Sequence, residues 1–191
     1  MEQRVANLTG IRSHNDERVY FVSQGAHARI GLPHHDLNKA PLRVVTVLIF
    51  LTDGLPRSGD LQFPCFGGTG GRGMEDVCDA LQRGFRAGRR AIDYAGAASK
   101  QSWNATAHTQ ILDACTRFPP PATRFSPKAG RAVMFWSATS LGTPIETTWH
   151  AACPIKQEAP VRVAHSYTSL NQLANLDGTA AVLWEFSVGR D

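Results

Sequence analysis

The sequence predicts a mainly β domain of the α+β kind: a sandwich or barrel, of which a jelly roll is one closure, with a helical insertion. Short segments rich in β-branched and aromatic residues recur along the chain. Turns rich in glycine, proline and aspartate divide them, as in sandwiches and barrels. From about Cys65 to Phe125 the pattern turns glycine-rich and then helical, before strand-like segments resume. The 191 residues are one domain's worth by length and enough to bury a core. Residues 1–191 are therefore expected to form a single domain, with the insertion at about 65–125.

The elements follow in order. "MEQRVANLTGI" places Val5, Leu8 and Ile11 at helical spacing and predicts a short amphipathic helix. "ERVYFVSQ" (17–24) and "LRVVTVLIFLT" (42–52) predict strands, with the polar knot "LPHHDLN" (32–38) between them. "DGLPRSG" (53–59) is a turn, and "DLQFP" (60–64) a short strand closed by proline. "CFGGTGGRG" (65–73) is a flexible glycine tract; it lacks the Lys-Ser/Thr ending of a phosphate loop. Residues 74–94 read as helical, interrupted by Gly84 and Gly88, and "HTQILDACTRF" (108–118) as a helix stopped by Pro119–Pro121. "GRAVMFWS" (130–137), "IETTWHAA" (145–152), "PVRVAHSYTSL" (160–170) and "AAVLWEFSV" (180–188) predict the closing strands.

Composition narrows the function classes. The chain is 42% apolar and 19% charged, values of an ordinary globular protein. No apolar run approaches the length of a membrane span. Much of the net charge of +4 sits in "LQRGFRAGRR" (81–90), which reads as a solvated helix face. No basic motif interleaved with aromatics argues for nucleic acid. There is no signal peptide and no retention signal in the chain as given. The sequons at Asn7 and Asn104 permit a secretory location without requiring it. Cys65, Cys78, Cys115 and Cys153 contain no C-x-x-C pair, which argues against a zinc cage; pairing and redox compartment stay open.

The chemistry concentrates in "LPHHDLN". In an extended segment residues i and i+2 share a face, so His34 and Asp36 project together and His35 points away. A third ligand must come from elsewhere. His150, in the β-rich "TTWHAACPI", is the natural choice if distant strands meet face to face; His165 competes. Two histidines and one carboxylate with open positions beside them suit non-haem iron(II), leaving room for a bidentate co-substrate and dioxygen.

Around these residues a family resemblance becomes visible. "MEQRVANLTGI" with "ERVYFV", "PHHD", "RVVTVLIFLTD" with "SGDLQFP", "PKAGRAVMFW", and "WHAACPI" resemble, in order, the blocks of the prolyl 4-hydroxylase family of iron(II)- and 2-oxoglutarate-dependent dioxygenases. The resemblance implies a double-stranded β-helix, with Fe(2+) held by His34, Asp36 and His150. It further implies 2-oxoglutarate and O2 as co-substrates, L-ascorbate as reductant, a proline-containing peptide as substrate, and residence in the endoplasmic reticulum. Hydroxylation would accompany decarboxylation of 2-oxoglutarate to succinate.

Some positions depart from the family. Its co-substrate lysine falls here at Ala159–Pro160. Arg162, at an even offset from His150, is the expected replacement; Lys156 is nearer but in a loop. Ile30 and Gly31 replace a tyrosine before the metal motif, Phe50 an aromatic with a hydroxyl, Leu61 a threonine, and Ala152 a glycine. These predict a remodelled co-substrate pocket and leave open an inactive binding module, or a hydroxylase of another side chain or a small molecule. The match begins late in the family's domain, as in a truncated or minimal form. The insertion is longer than the family's and falls where a loop could border the site mouth.

Overall fold

The computed structural model describes residues 6–7, 19–25, 34–38, 43–66, 74, 77–79, 81–82, 109, 113–116, 123–139, 143–169 and 184–187. Eight strands lie within them: β1 (Tyr20–Gln24), β2 (Arg43–Phe50), β3 (Leu61–Phe63), β4 (Thr123–Phe125), β5 (Arg131–Trp136), β6 (Ala151–Ala152), β7 (Val161–Ser169) and β8 (Trp184–Ser187). They form two antiparallel sheets, one of five strands ordered β1-β7-β2-β5-β8 and one of three ordered β4-β3-β6. The protein is thus mainly β, and no helix among the described residues is long and apolar enough to cross a membrane.

β2 explains how the sheets meet. Its sequence, RVVTVLIF, is nearly all apolar, and every residue after Arg43 is buried. A strand covered on both faces needs no polar alternation. Val45, Val47 and Ile49 pack with Ala132, Met134, Trp136 and Ala164 on one face. Leu48 and Phe50 turn to the other, meeting Val133, Phe135, Val161 and Val163 of their own sheet and Leu61, Phe63 and Phe125 of the three-stranded sheet. This second cluster is the core between the sheets. Phe63 and Phe135 are fully buried in it, 5.0 Å apart in T-shaped contact. Each contributes about 1.5–3 kcal/mol by burial.

The described part of the insertion packs on the opposite face of the three-stranded sheet. Helical residues lie at 77–79, 81–82 and 113–116. Met74, Val77, Leu81, Ala114 and Cys115 cluster with Trp149, Ala151 and Cys153. Two disulfides fasten this layer: Cys65–Cys78 at the exit of β3, and Cys115–Cys153 to the segment just past β6. All four cysteines are therefore paired, which removes a zinc site built from them.

Two local readings are corrected. Residues 145–152 are not one strand: Glu146–Thr148 form a 3-10 turn, His150 makes an isolated bridge, and only Ala151–Ala152 join the sheet. β4 was not expected; its three residues lack a strand pattern of their own and pair because Leu61 meets Phe125 and Phe63 meets Thr123. Of the expected N-terminal helix only residues 6–7 are described, and they are helical; its remainder, the tract at 67–73 and most of 74–94 and 108–118 lie outside the described residues.

Candidate metal centre

His34 and His150 are brought together by backbone pairing. Each donates its N–H to the other's carbonyl, at 3.0 and 3.1 Å, in an isolated antiparallel bridge. Directly paired residues project to one face. Their rings accordingly stand 4.3 Å apart. Beyond His34 the chain tightens into a 3-10 turn over Asp36–Asn38, and the knot is both a bridging residue and a polar turn. The turn aims the Asp36 carboxylate at β2, where the Thr46 hydroxyl donates to Oδ2 at 2.5 Å.

The three side chains converge. Asp36 Oδ1 lies 3.7 Å from His34 Nε2, and Oδ2 lies 3.9 Å from His150 Nε2. One ligand atom from each residue falls within 4.8 Å of the others. Ligands about 2.1 Å from one ion, at right angles, stand about 3 Å apart, so separations of up to 4.8 Å close by as much as about 2 Å to form a coordination triangle. Two imidazole nitrogens and one carboxylate oxygen form a mixed donor set of the kind that fits iron(II).

The protonation states fit a ligand role. The His150 ring lies 3.0 Å, through Nδ1, from the Thr148 carbonyl, which can only accept, so Nδ1 carries the proton. Nε2 is left as a lone pair facing Asp36. Burial first, and neighbouring His34 second, push the His150 pKa down to about 3 against the opposing pull of Asp36. The ring is neutral at pH 7. Phe135 and Phe63 wall it at 4.8 and 5.7 Å between ring centres. His34 is 36% exposed while Asp36 is 1%, so the site opens on the side of His34.

His35 has a part that alternation alone did not suggest. It is fully buried. Its Nδ1 accepts the Leu37 N–H at 3.3 Å, which places the proton on Nε2, 3.0 Å from the Ile145 carbonyl and 3.1 Å from Thr148 Oγ1. The ring also stands edge-on to Trp149. Burial holds its pKa below the ordinary histidine value. His35 thereby ties the turn that carries Asp36 to the turn that precedes His150.

Arg162 does not face this site, and that expectation is corrected. It is exposed on β7, opposite Ser23 of β1, and its backbone N–H donates to Thr52 Oγ1. Strand parity counted from His150 fails because residues 153–160 are irregular and reset the alternation. On β7, Val161 and Val163 pack in the inter-sheet core, and His165 has the same parity. Lys156 is exposed as well, with its N–H on Ser58 Oγ. His165 shares the inner face but stands outside the triad, its Nδ1 2.7 Å from the Tyr167 hydroxyl. Phe50 and Leu61 lie in the apolar inter-sheet core. Ile30 and Gly31, and His14, His27 and His108, lie outside the described residues.

No protein-family model matches the chain, and no curated protein matches it in sequence. Among solved structures it is similar to the viral collagen prolyl hydroxylase vCPH from Paramecium bursaria Chlorella virus-1 in its 2OG complex. There the identity is 13% over 86% of this chain and 67% of that one, with a TM-score of 0.43. A truncated form of the same viral protein gives 14% identity over 86% and 65%, with the same TM-score. The chain spans about two thirds of that protein's length.

Proposed function

We propose that this chain is an iron(II)- and 2-oxoglutarate-dependent dioxygenase of the prolyl 4-hydroxylase kind, its two sheets closing as a double-stranded β-helix and its substrate a peptidyl proline. The observation that carries the proposal is the convergence of His34, Asp36 and His150 at the edge of the inter-sheet core. When bound, iron(II) with 2-oxoglutarate and dioxygen supplies the oxidising chemistry, yielding succinate, CO2 and a hydroxylated substrate. The chain's own work is positioning. His34 and His150 present two imidazole nitrogens, Asp36 one carboxylate, and Thr46 fixes that carboxylate's rotation. Phe63 and Phe135 keep water from the His150 side, where it would compete with the co-substrate. His35 holds the two ligand-bearing turns at a fixed spacing. The two disulfides suit an oxidising compartment, and we place the protein in the secretory pathway, where ascorbate can serve as reductant.

The test is succinate release by the full chain with iron(II), 2-oxoglutarate, ascorbate and proline-rich peptides. Turnover on such peptides is expected; turnover only on other side chains or small molecules would remove the prolyl assignment. One observation favours a second reading, a binding module that keeps the metal but has no catalysis: the inner face carries Val161, Val163, Phe50 and Leu61 where a polar co-substrate pocket needs donors. That module predicts no heat when metal-loaded protein is titrated with 2-oxoglutarate.

A further inference from the structure

His34 and His35 are consecutive, yet their rings serve different partners. His34 joins the metal triad, and His35 reaches the segment that leads to His150. The backbone bridge between His34 and His150 fixes how far apart the two segments lie. It does not decide which nitrogen of the His150 ring carries the proton. A neutral imidazole in water favours the proton on Nε2, and the Asp36 carboxylate, 3.9 Å from that nitrogen, favours it there too. Such a ring would turn an N–H, not a lone pair, towards the ion. The Thr148 carbonyl at Nδ1 opposes both preferences, so the ligand form of His150 depends on how firmly that carbonyl is held.

We infer that His35 and Thr148 form a relay that imposes the ligand form of His150, with His35 the positioning residue that anchors it. This rests on the metal-site reading above. The protons can be followed along the relay. The Leu37 N–H occupies His35 Nδ1, so the proton of that ring sits on Nε2. From there it points between the Ile145 carbonyl, at 3.0 Å, and Thr148 Oγ1, at 3.1 Å. The Thr148 hydroxyl, accepting from His35, donates to the Ile145 carbonyl at 2.8 Å, and the same oxygen takes the Thr148 N–H at 3.1 Å. Side chain and main chain of Thr148 are thus both tied down at Ile145. Its own carbonyl is left aimed at His150 Nδ1, 3.0 Å away.

His35 is 0% exposed, Thr148 2% and His150 4%, so solvent does not replace a lost link, and each loss strands a buried polar group. The Trp149 ring stands edge-on to His35 and packs into the cluster beneath the insertion, which walls the relay on that side. One turn therefore sets two ligands. The turn at 36–38 aims the Asp36 carboxylate, and through the Leu37 N–H and His35 it also fixes the tautomer of His150. An apolar residue at position 35 would leave the backbone bridge in place and break the relay.

Two quantities test this in the full chain: the His150 tautomer, read by long-range proton–nitrogen NMR of metal-free protein at neutral pH, and iron(II) affinity, read anaerobically by competition with a chelator. The variants are His35→Phe, which keeps a ring beside Trp149, Thr148→Val and Thr148→Ser. Native protein should hold the His150 proton on Nδ1. His35→Phe and Thr148→Val should populate the Nε2–H form and bind iron about 10–100-fold more weakly, whereas Thr148→Ser should match the native chain. Because the two residues act in series, the double variant should bind within about two-fold of the weaker single one. A proton that stays on Nδ1 in both single variants overturns the relay even if affinity falls, since a merely structural role predicts that result; so do losses that add in the double variant. If His35→Phe does not fold, the Thr148→Val and Thr148→Ser pair decides by the same readouts. A native chain with the proton on Nδ1 that takes up no iron removes the metal reading and leaves the relay; a native proton on Nε2 removes the relay whatever the metal does.

Discussion

Replacing Thr46 by valine removes one oxygen from the centre of β2 and changes the shape of the strand little. Its hydroxyl donates to Asp36 Oδ2 at 2.5 Å, with the residue fully buried and the carboxylate nearly so. A hydrogen bond to a charged group is worth about 1.5–3 kcal/mol. For a chain of this size each kcal/mol moves Tm by about 2–4 °C, so Thr46→Val should melt about 3–12 °C lower. The same bond fixes the rotation of a metal-binding carboxylate, and loss of such support costs about 10–100-fold in metal affinity. Thermal melts of metal-free protein read the first quantity; competition with a chelator of known affinity reads the second. Thr46→Ser keeps the hydroxyl and should behave nearly as the native chain. Native metal affinity in a destabilised Thr46→Val chain would refute the claim that Thr46 orients the ligand.

Other outcomes follow from the same geometry. The Cys65–Cys78 and Cys115–Cys153 disulfides close separations of 13 and 38 residues. By chain entropy they stabilise by about 3 and about 4 kcal/mol, so reductant should lower the denaturation midpoint markedly, and an unchanged midpoint would contradict the stapled insertion. In metal-free protein, the His150 pKa is depressed to about 3, so the folded state lacks a proton that the unfolded chain binds below its ordinary value of 6.5. Stability from this group is complete above pH 6.5 and falls as pH drops towards 3, by about 1.4 kcal/mol per unit. Denaturant titrations across that window should show the loss, and His150→Gln should flatten it; an equal slope in the variant would contradict the assignment.

How much of this was legible in the sequence depends on what each inference required. The strands around β2, β5 and β7 were readable because Val, Ile and Phe crowd short segments between turns. The convergence of His34, Asp36 and His150 was readable because an H-x-D triplet and a distant histidine in β-rich surroundings need only two sheet segments to meet. Arg162 was misread because parity runs only along continuous strand, and the irregular stretch 153–160 intervenes. β4 was invisible because three residues carry no period; pairing with β3 makes the strand. His35 could be seen to point away from the metal, but not towards Ile145, since that carbonyl is 110 residues distant. Cysteine connectivity likewise needs distances that spacing does not supply.

The central claim is that three side chains, two of them from the knot at 34–36, bind one metal ion. Anaerobic titration of the metal-free full chain with iron(II) measures it most directly, with His150→Ala as the comparison and circular dichroism confirming that both are folded. The account predicts one ion per native chain and at least a hundred-fold weaker binding in the variant. Equal binding by both chains, or no uptake by the native one, would contradict it.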